Sequence, residues 1–276
     1  MFGIIIAFKD YNISKGIGGM FTSSFVGLKH FKEFFGDYKF SQLFRNTLVL
    51  SLLKLAFSFP MPIFLALLLN EVKLRWFKRL VQTVSYLPYF ISWVIVAGFC
   101  QILLSNGGVV NDFIVALGGD RLQLLTAERF FWPLAVFTAM WKETGWWAII
   151  FLAAIAIIDI TLYEAADIDG ASRLQKIRYI TFPGIKPTIT IVLILALGNL
   201  MGGGLSGSNF EQSYLLGNNG NINMSEVLQV YVLNIGLSKG RFAYATAVGL
   251  FQSVISLFLI FVSNFVARQV SGEGLF

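Results

Sequence analysis

Residues 163–187 read YEAADIDGASRLQKIRYITFPGIKP, with charges at Glu164, Asp167, Asp169, Arg173, Lys176, Arg178 and Lys186. The chain around them is greasy: mean hydropathy is +0.72, 56% of residues are hydrophobic and only 13% are charged. Read for physics alone, the stretch forms two short amphipathic helices around a turn. Tyr163–Asp167 holds good helix formers. Asp169 offers a capping side chain and Gly170 a residue free to take a left-handed backbone, so one helix ends and the next begins there. In the second helix Ala171, Leu174, Ile177 and Ile180 recur every three positions as an apolar stripe, with Arg173, Lys176 and Arg178 off it. Pro183 is expected to stop this helix and Pro187 to help start the next element. A helix this short cannot cross a bilayer. It can rest on lipid headgroups or present one face to a partner's groove, and periodicity does not separate the two.

Working outward, the flanking blocks identify a polytopic membrane protein, since a spanning helix needs about 20 apolar residues. Five blocks qualify, at 44–69, 82–104, 132–158, 187–203 and 243–267. The opening MFGIIIAF is too short to span alone, and its abrupt apolar start reads as the tail, residues 1–8, of a first span that is truncated. Pro60, Pro62 and Pro88 fall inside apolar blocks and predict kinks, either ordinary packing features or hinges. NEVKLRWFKRLVQ is short and basic and reads as a cytoplasmic loop. SNGGVVNDFIVALGGDRLQLLTAERFF reads as an external loop with a small helix, and GGGLSGSNFEQSYLLGNNGNINMSEVLQ as a broken connection. Basic residues divide almost evenly between the two faces this order implies, so charge bias does not fix orientation; only the 70–80 loop leans toward the cytoplasm. No secretory signal pattern opens the chain. The lone Cys100 and lone His30 exclude a disulfide framework and a metal or nucleophile site, and scattered Lys and Arg around the spans argue against nucleic-acid binding.

Here the polar stretch gains an identity. EAADIDGASRLQKIRYITFP resembles the EAA loop of binding-protein-dependent ABC importer permeases, written E-A-A-x-x-D-G-A-x(5)-Φ-x-x-I-x-x-P. Glu164, Ala165, Ala166, Asp169, Gly170, Ala171, Ile180 and Pro183 match it, and Ile177 fills the aromatic position as a conservative departure. Further segments (AFKDYN, FVGLKHFKEFF, RNTLVLSLL, LALLLNEV, FKRLVQTVSYLPYFISWVIVAG, WKETGW, FEQ and the ending GEGLF) look like the subgroup importing oligosaccharides or polysaccharide fragments. The resemblance implies an all-α polytopic membrane protein with a six-span permease core, forming one transmembrane domain over 1–276. Its remaining five spans lie within 44–267 and its cytoplasmic coupling loop at 159–186. It implies a bacterial cytoplasmic membrane, a second and usually different permease subunit, two ATPase subunits that carry ATP and Mg, and an external solute-binding protein. A loop that meets an ATPase faces the cytoplasm, which fixes the orientation that charge counting leaves open.

Lys142 and Glu143 fall near the middle of the 132–158 block, where each charge costs about 2.5–3.5 kcal/mol on insertion scales and so faces a cavity or a partner. As sequence neighbours they point about 100° apart on a helix and need not pair. Trp141, Trp146 and Trp147 flank them, either as platforms for sugar rings or as plain packing. Lys54 is a candidate counter-charge for Glu143. Phe210, Glu211 and Gln212 lie in a Gly-broken stretch, either along a water-filled route or in an external loop. Trp141, Lys142, Glu143, Trp146, Phe210, Glu211, Gln212 and Lys54 are therefore the substrate-pathway candidates. No G-x-x-x-x-G-K-[ST] phosphate loop exists in the chain, so no catalytic residue or cofactor is expected in it. The expected function is ATP-driven import of an oligosaccharide delivered by an external binding protein. An ion- or proton-coupled secondary transporter is the alternative; it would use the mid-span charges as relays, but related halves of that kind of carrier are not seen.

Overall fold

The computed structural model describes residues 2–205 and 207–271 together with Gly274. Apart from Gly274, the ending GEGLF lies outside the described residues. Among them the chain is helical, with one isolated antiparallel bridge between Lys9 and Phe25. Counting α-helices of six residues or more, and leaving aside the 3-10 helix Phe2–Phe8, α1 is Lys29–Phe35, α2 Phe40–Phe57 and α3 Pro60–Glu71. Then come α4, Arg75–Tyr86, α5, Trp93–Leu104, and α6, Val109–Ala116. The long α7, Glu128–Ala156, is followed by α8, Ile160–Ile168, and α9, Arg173–Gly198. The chain closes with α10, Asn209–Leu216, α11, Leu228–Leu233, and α12, Phe242–Ser271.

Among the described residues, four stretches are long and apolar enough to cross a bilayer: Phe40–Glu71, Trp93–Ala116, Arg173–Gly198 and Phe242–Gln269. A fifth is reached if α7 and α8, bent by 71° at the break between them, count as one span. The block expected at 44–69 is thus two helices. Phe57 ends α2, and Pro60 opens α3 at a first-turn position where its missing N–H was never needed. The short helix Phe2–Phe8 and α9 both pack along α12, while α7 packs on α3 and α2. Small and aromatic residues fill the seam between α3, α7 and α9, where Ala66, Ala148, Phe151 and Ile185 are fully buried. A second core joins α1 to the last helices. There Phe34 meets Phe40 edge-on at 5.0 Å and packs with Tyr244 and Val248.

Five expectations need correction. The block 82–104 is not one helix. Pro88 sits in a 3-10 turn, Leu87–Phe90, Ile91 is extended, and Ser92 caps a new helix by accepting from the Ile95 amide. The basic stretch before it is likewise not a bare loop, because Arg75–Tyr86 is helical. Its polar positions (Arg75, Lys78, Arg79, Gln82) and apolar positions (Trp76, Leu80, Val84) fall on opposite sides of a 3.6-residue repeat. The block 187–203 begins earlier and ends earlier: α9 runs from Arg173 to Gly198, and a 3-10 turn, Leu200–Gly202, follows it. Pro183 therefore does not stop the second loop helix. The turn Ile177–Thr181 widens to π geometry just before it, which moves the preceding carbonyls out of the register that a proline ring would strike. The expected broken connection also contains an ordered helix, α10.

The crossing of α4 and α7 depends on Gly145. A Cβ there would collide with the backbone carbonyl of Ser85, so the two backbones touch directly. Gly145→Leu is expected to push α4 off α7 and to destabilise the fold by about 1–3 kcal/mol, the usual cost of overpacking. A thermal unfolding scan of purified protein should show a midpoint lower by several degrees; an unchanged midpoint would mean the crossing yields freely.

Candidate functional site

The polar loop is built by its own side chains. Asp159 caps α8 by accepting from the Thr161 amide at 2.9 Å, and that bond holds its carboxyl below the usual carboxylate range. The helix closes at Ile168, the amides of Asp169 and Ala171 return to the carbonyls of Ala165 and Ala166, and Gly170 takes φ +71°. That left-handed value is open to glycine and strained for other residues. The expected cap at Asp169 is not the one used. Ser172 starts α9 instead, in a reciprocal capping box with Gln175, because S-x-x-Q places both side chains against orphan amides. Two cross-links fasten the loop: Lys176 to Asp167 at 2.6 Å, and the Tyr163 hydroxyl to Thr181 Oγ1 at 2.9 Å.

Of the loop candidates, Glu164, Ala165, Asp169, Gly170 and Pro183 are exposed, while Ala166, Ala171, Ile177 and Ile180 are half-buried. At the tip, Ile168 and Leu174 are 88% and 78% exposed, an apolar pair that nothing in this chain covers. The arrangement is a braced knob, rigid inside and apolar at the tip, joined without interruption to α9.

A second constellation lies midway along the bundle. Lys54 Nζ donates to Ser208 Oγ at 2.9 Å, and Asn209 Nδ2 donates to Ser51 Oγ at 2.7 Å, tying α10 to α2. Gln212 Nε2 donates to the Ala135 carbonyl and to Thr138 Oγ1, tying α10 to α7. Lys54 lies within electrostatic reach of both Glu143 and Glu211. Lys54 and Glu143 also share the wall of a small enclosed cavity with Ser58, Thr144, Trp147 and Gly203. At about 20 Å³ that cavity has room for about one water molecule, not a sugar ring.

Lys142 points elsewhere, as its 100° offset from Glu143 requires. Its Nζ donates to the Tyr89 carbonyl at 2.6 Å and lies over the rings of Tyr89 and Trp93. Trp146 stacks on Tyr89 at 4.4 Å, so one indole face is already covered, whereas Trp141 is 45% exposed. Phe210 stacks on Tyr214 at 5.6 Å, and Gln212 is fully buried in helix packing. Glu211 Oε2 is buried without a hydrogen-bond partner, as are Asn209 Oδ1 and Gln212 Oε1. Lys54, Glu143, Glu211 and Gln212 are thus brought together around α10; Lys142 lies within electrostatic reach of the same two glutamates but makes its hydrogen bond on the α4–α5–α7 side, with Trp141 and Trp146. The partners Ser51, Thr138, Ser208 and Asn209 were missed, since small polar residues in apolar blocks carry no periodic signal. Ser172 was legible through the S-x-x-Q spacing.

Comparison with known proteins covers nearly the whole chain. The family described as "Binding-protein-dependent transport system inner membrane component" matches residues 58–272. The polygalacturonan/rhamnogalacturonan transport system permease protein YteP of Bacillus subtilis is 46% identical over 277 aligned positions, covering 100% of this chain and 84% of that protein. The arabinooligosaccharides transport system permease protein AraP of the same organism is 29% identical, over 91% of this chain and 79% of its own length. Among solved structures, a chain of a bacterial ABC transporter for import of the acidic polysaccharide alginate superposes with a TM-score of 0.88 and 38% identity. That match covers 98% of this chain and 88% of the other.

The ties of α10 give a direct test. Gln212→Leu keeps the volume but leaves the Ala135 carbonyl without its side-chain donor and α10 without its bond to Thr138. A loss of about 1–3 kcal/mol is expected, read as a lower unfolding midpoint in detergent. Wild-type stability in that variant would show that α10 is held from elsewhere.

Proposed function

The chain belongs to the binding-protein-dependent transport system inner membrane components, and from that premise we propose that it imports a uronic-acid oligosaccharide. It is a transmembrane permease subunit of an ATP-binding-cassette importer for oligo- or polysaccharides. Family membership sets aside the ion- or proton-coupled carrier. The observation that carries the substrate class is the agreement between two relatives matched over nearly this whole chain. The permease at 46% identity is named for polygalacturonan and rhamnogalacturonan, and the structure at 38% for alginate. Both are acidic polysaccharides, whereas the arabinooligosaccharide permease stands at 29%.

Because the sequence contains no phosphate-binding loop of the G-x-x-x-x-G-K-[ST] type, ATP and Mg are assigned to two separate ATPase subunits. The 164–183 knob docks on one of them, and its end of the bundle faces the cytoplasm of a bacterial cell. An external binding protein delivers the sugar to the opposite end, and a second permease, a different chain, completes the path. The knob drives the spans because of its continuity with α9. A helix of 26 residues is about 39 Å long, so a push at Arg173 is delivered to Gly198 by one lever. Coupling then requires the knob to bind the ATPase with different free energy in the inward and outward states. Lys54, Glu143 and Glu211 are proposed to line the route when the helices around α10 separate.

Two measurements test this reading. In proteoliposomes holding the assembled importer, ATP-dependent uptake of trigalacturonate should exceed that of maltotriose; the reverse preference would overturn the acidic substrate. Gly170→Pro forces φ near −65° at a position that needs +71°. It should insert and assemble normally yet lose uptake and sugar-stimulated ATP hydrolysis to background. Unchanged transport-linked hydrolysis would remove the knob from the coupling path.

A further inference from the structure

The α7 helix fixes the two ends of the molecule. Its 29 residues make a rod about 43 Å long, with Ala156 beside the knob and Glu128 at the far end. At that far end lies a polar cleft of about 450 Å³, within the range of small-molecule sites and apart from the Lys54–Glu143 constellation. Tyr38, Ser41, Gln42 and Arg45 form one wall, Glu128 and Asn223 the other. Ser41, Gln42 and Arg45 share one face at the start of α2, and Tyr38 stands in the turn just before it.

Gln42, Arg45 and Asn223 are held in place by hydrogen bonds. Arg45 donates from Nη2 to the Asn223 carbonyl at 3.2 Å and to Asn46 Oδ1 at 3.2 Å. Asn46 in turn donates to the carbonyls of Asn223 and Glu226, and Gln42 donates to the Ile222 carbonyl. The neighbouring charges are spoken for: Glu128 accepts from Asn223 Nδ2 at 2.6 Å, and Lys39 pairs with Glu226 at 2.7 Å. Among the described residues Arg45 has no carboxylate partner. Tyr38, 88% exposed, offers a bare ring face at the rim.

We propose that this cleft is an outer subsite for one acidic glycosyl unit, engaged before the sugar enters the bundle. The inference rests on the reading of the chain as an importer of uronic-acid oligosaccharides. The chemistry is that of sugar recognition. The apolar face of a pyranose lies on Tyr38, hydroxyls bond to the amides of Gln42 and Asn223 and to Ser41, and the uronate carboxylate meets the guanidinium of Arg45. Glu128 on the facing wall disfavours an anion placed near it, so the carboxylate is directed to the α2 side of the cleft.

The test uses the complete importer in detergent, without the binding protein, and trigalacturonate or maltotriose as probe in saturation-transfer NMR. Wild type should transfer saturation to trigalacturonate. Tyr38→Ala, which removes an exposed ring and no packing, should weaken the transfer about threefold to tenfold. Arg45→Gln should bring trigalacturonate down to the level of maltotriose, with co-purification of the ATPase confirming assembly in both variants. The proposal is overturned if wild type gives no transfer, or if both variants keep the wild-type signal. It is equally overturned if the variants leave the sugar contact intact and, in a separate pull-down with the external binding protein, weaken its docking instead. Loss of acidic uptake in wild-type proteoliposomes alongside a retained Tyr38-dependent signal would defeat the function proposed above and leave the subsite standing.

Discussion

Inside hydrocarbon a polar group either finds a partner in the protein or costs several kcal/mol, and the placement of α10 follows from that constraint. This helix has eight residues and irregular backbone on both sides, so it cannot stand in a bilayer alone. Its ties reach Ser51 and Lys54, well inside α2, and Ala135 and Thr138, about two turns into α7. Each tie satisfies a group that the apolar surroundings would otherwise penalise. Together they turn a break in the chain into a fixed part of the bundle. The buried acceptors left without partners, Glu211 Oε2 and Asn209 Oδ1 among them, mark the same place as the least settled in the interior.

The same rule explains which features were legible in the sequence. A polar loop between apolar blocks stands out by composition, and its turn is written in Gly170, so the knob could be placed to within a few residues. Long apolar helices such as α7 and α12 were equally plain. The failures share a cause. Pro183 carries a strong local rule against helix continuation, but a single π turn at Ile177–Thr181 defeats it, and nothing in the composition of that turn announces this. The break at Ile91–Ser92 depends on one proline and one serine cap inside an otherwise apolar run. The partners of Lys142 lie some 50 positions away, at Tyr89 and Trp93, and only packing brings them together.

Continuity of α9 changes what the loop has to do in the coupling role proposed for it. Had the helix ended at Pro183, motion at the knob would pass through a flexible joint and lose direction. One helix from Arg173 to Gly198 would carry displacement and rotation together, and its Phe182–Gly198 part lies against α12 and α7. The Lys176–Asp167 and Tyr163–Thr181 links tie the knob to α9, and in the proposed coupling they would pass a load on Ile168 and Leu174 to that helix. Gly198 then delivers it to the irregular segment that precedes α10.

This geometry bears on where a sugar can pass. The cavity beside Lys54 and Glu143 admits about one water, whereas an oligosaccharide is many times larger. Widening that point within a single chain would mean breaking the Lys54–Ser208 and Asn209–Ser51 bonds in hydrocarbon, leaving buried donors unpaired. Displacement of α10 toward a seam with the proposed second permease would avoid that cost, since groups on that partner and water in the opening would replace the lost bonds as they break. We therefore propose that the polar belt around α10 is a closed gate whose opening needs both the lever of α9 and a second permease chain to receive it.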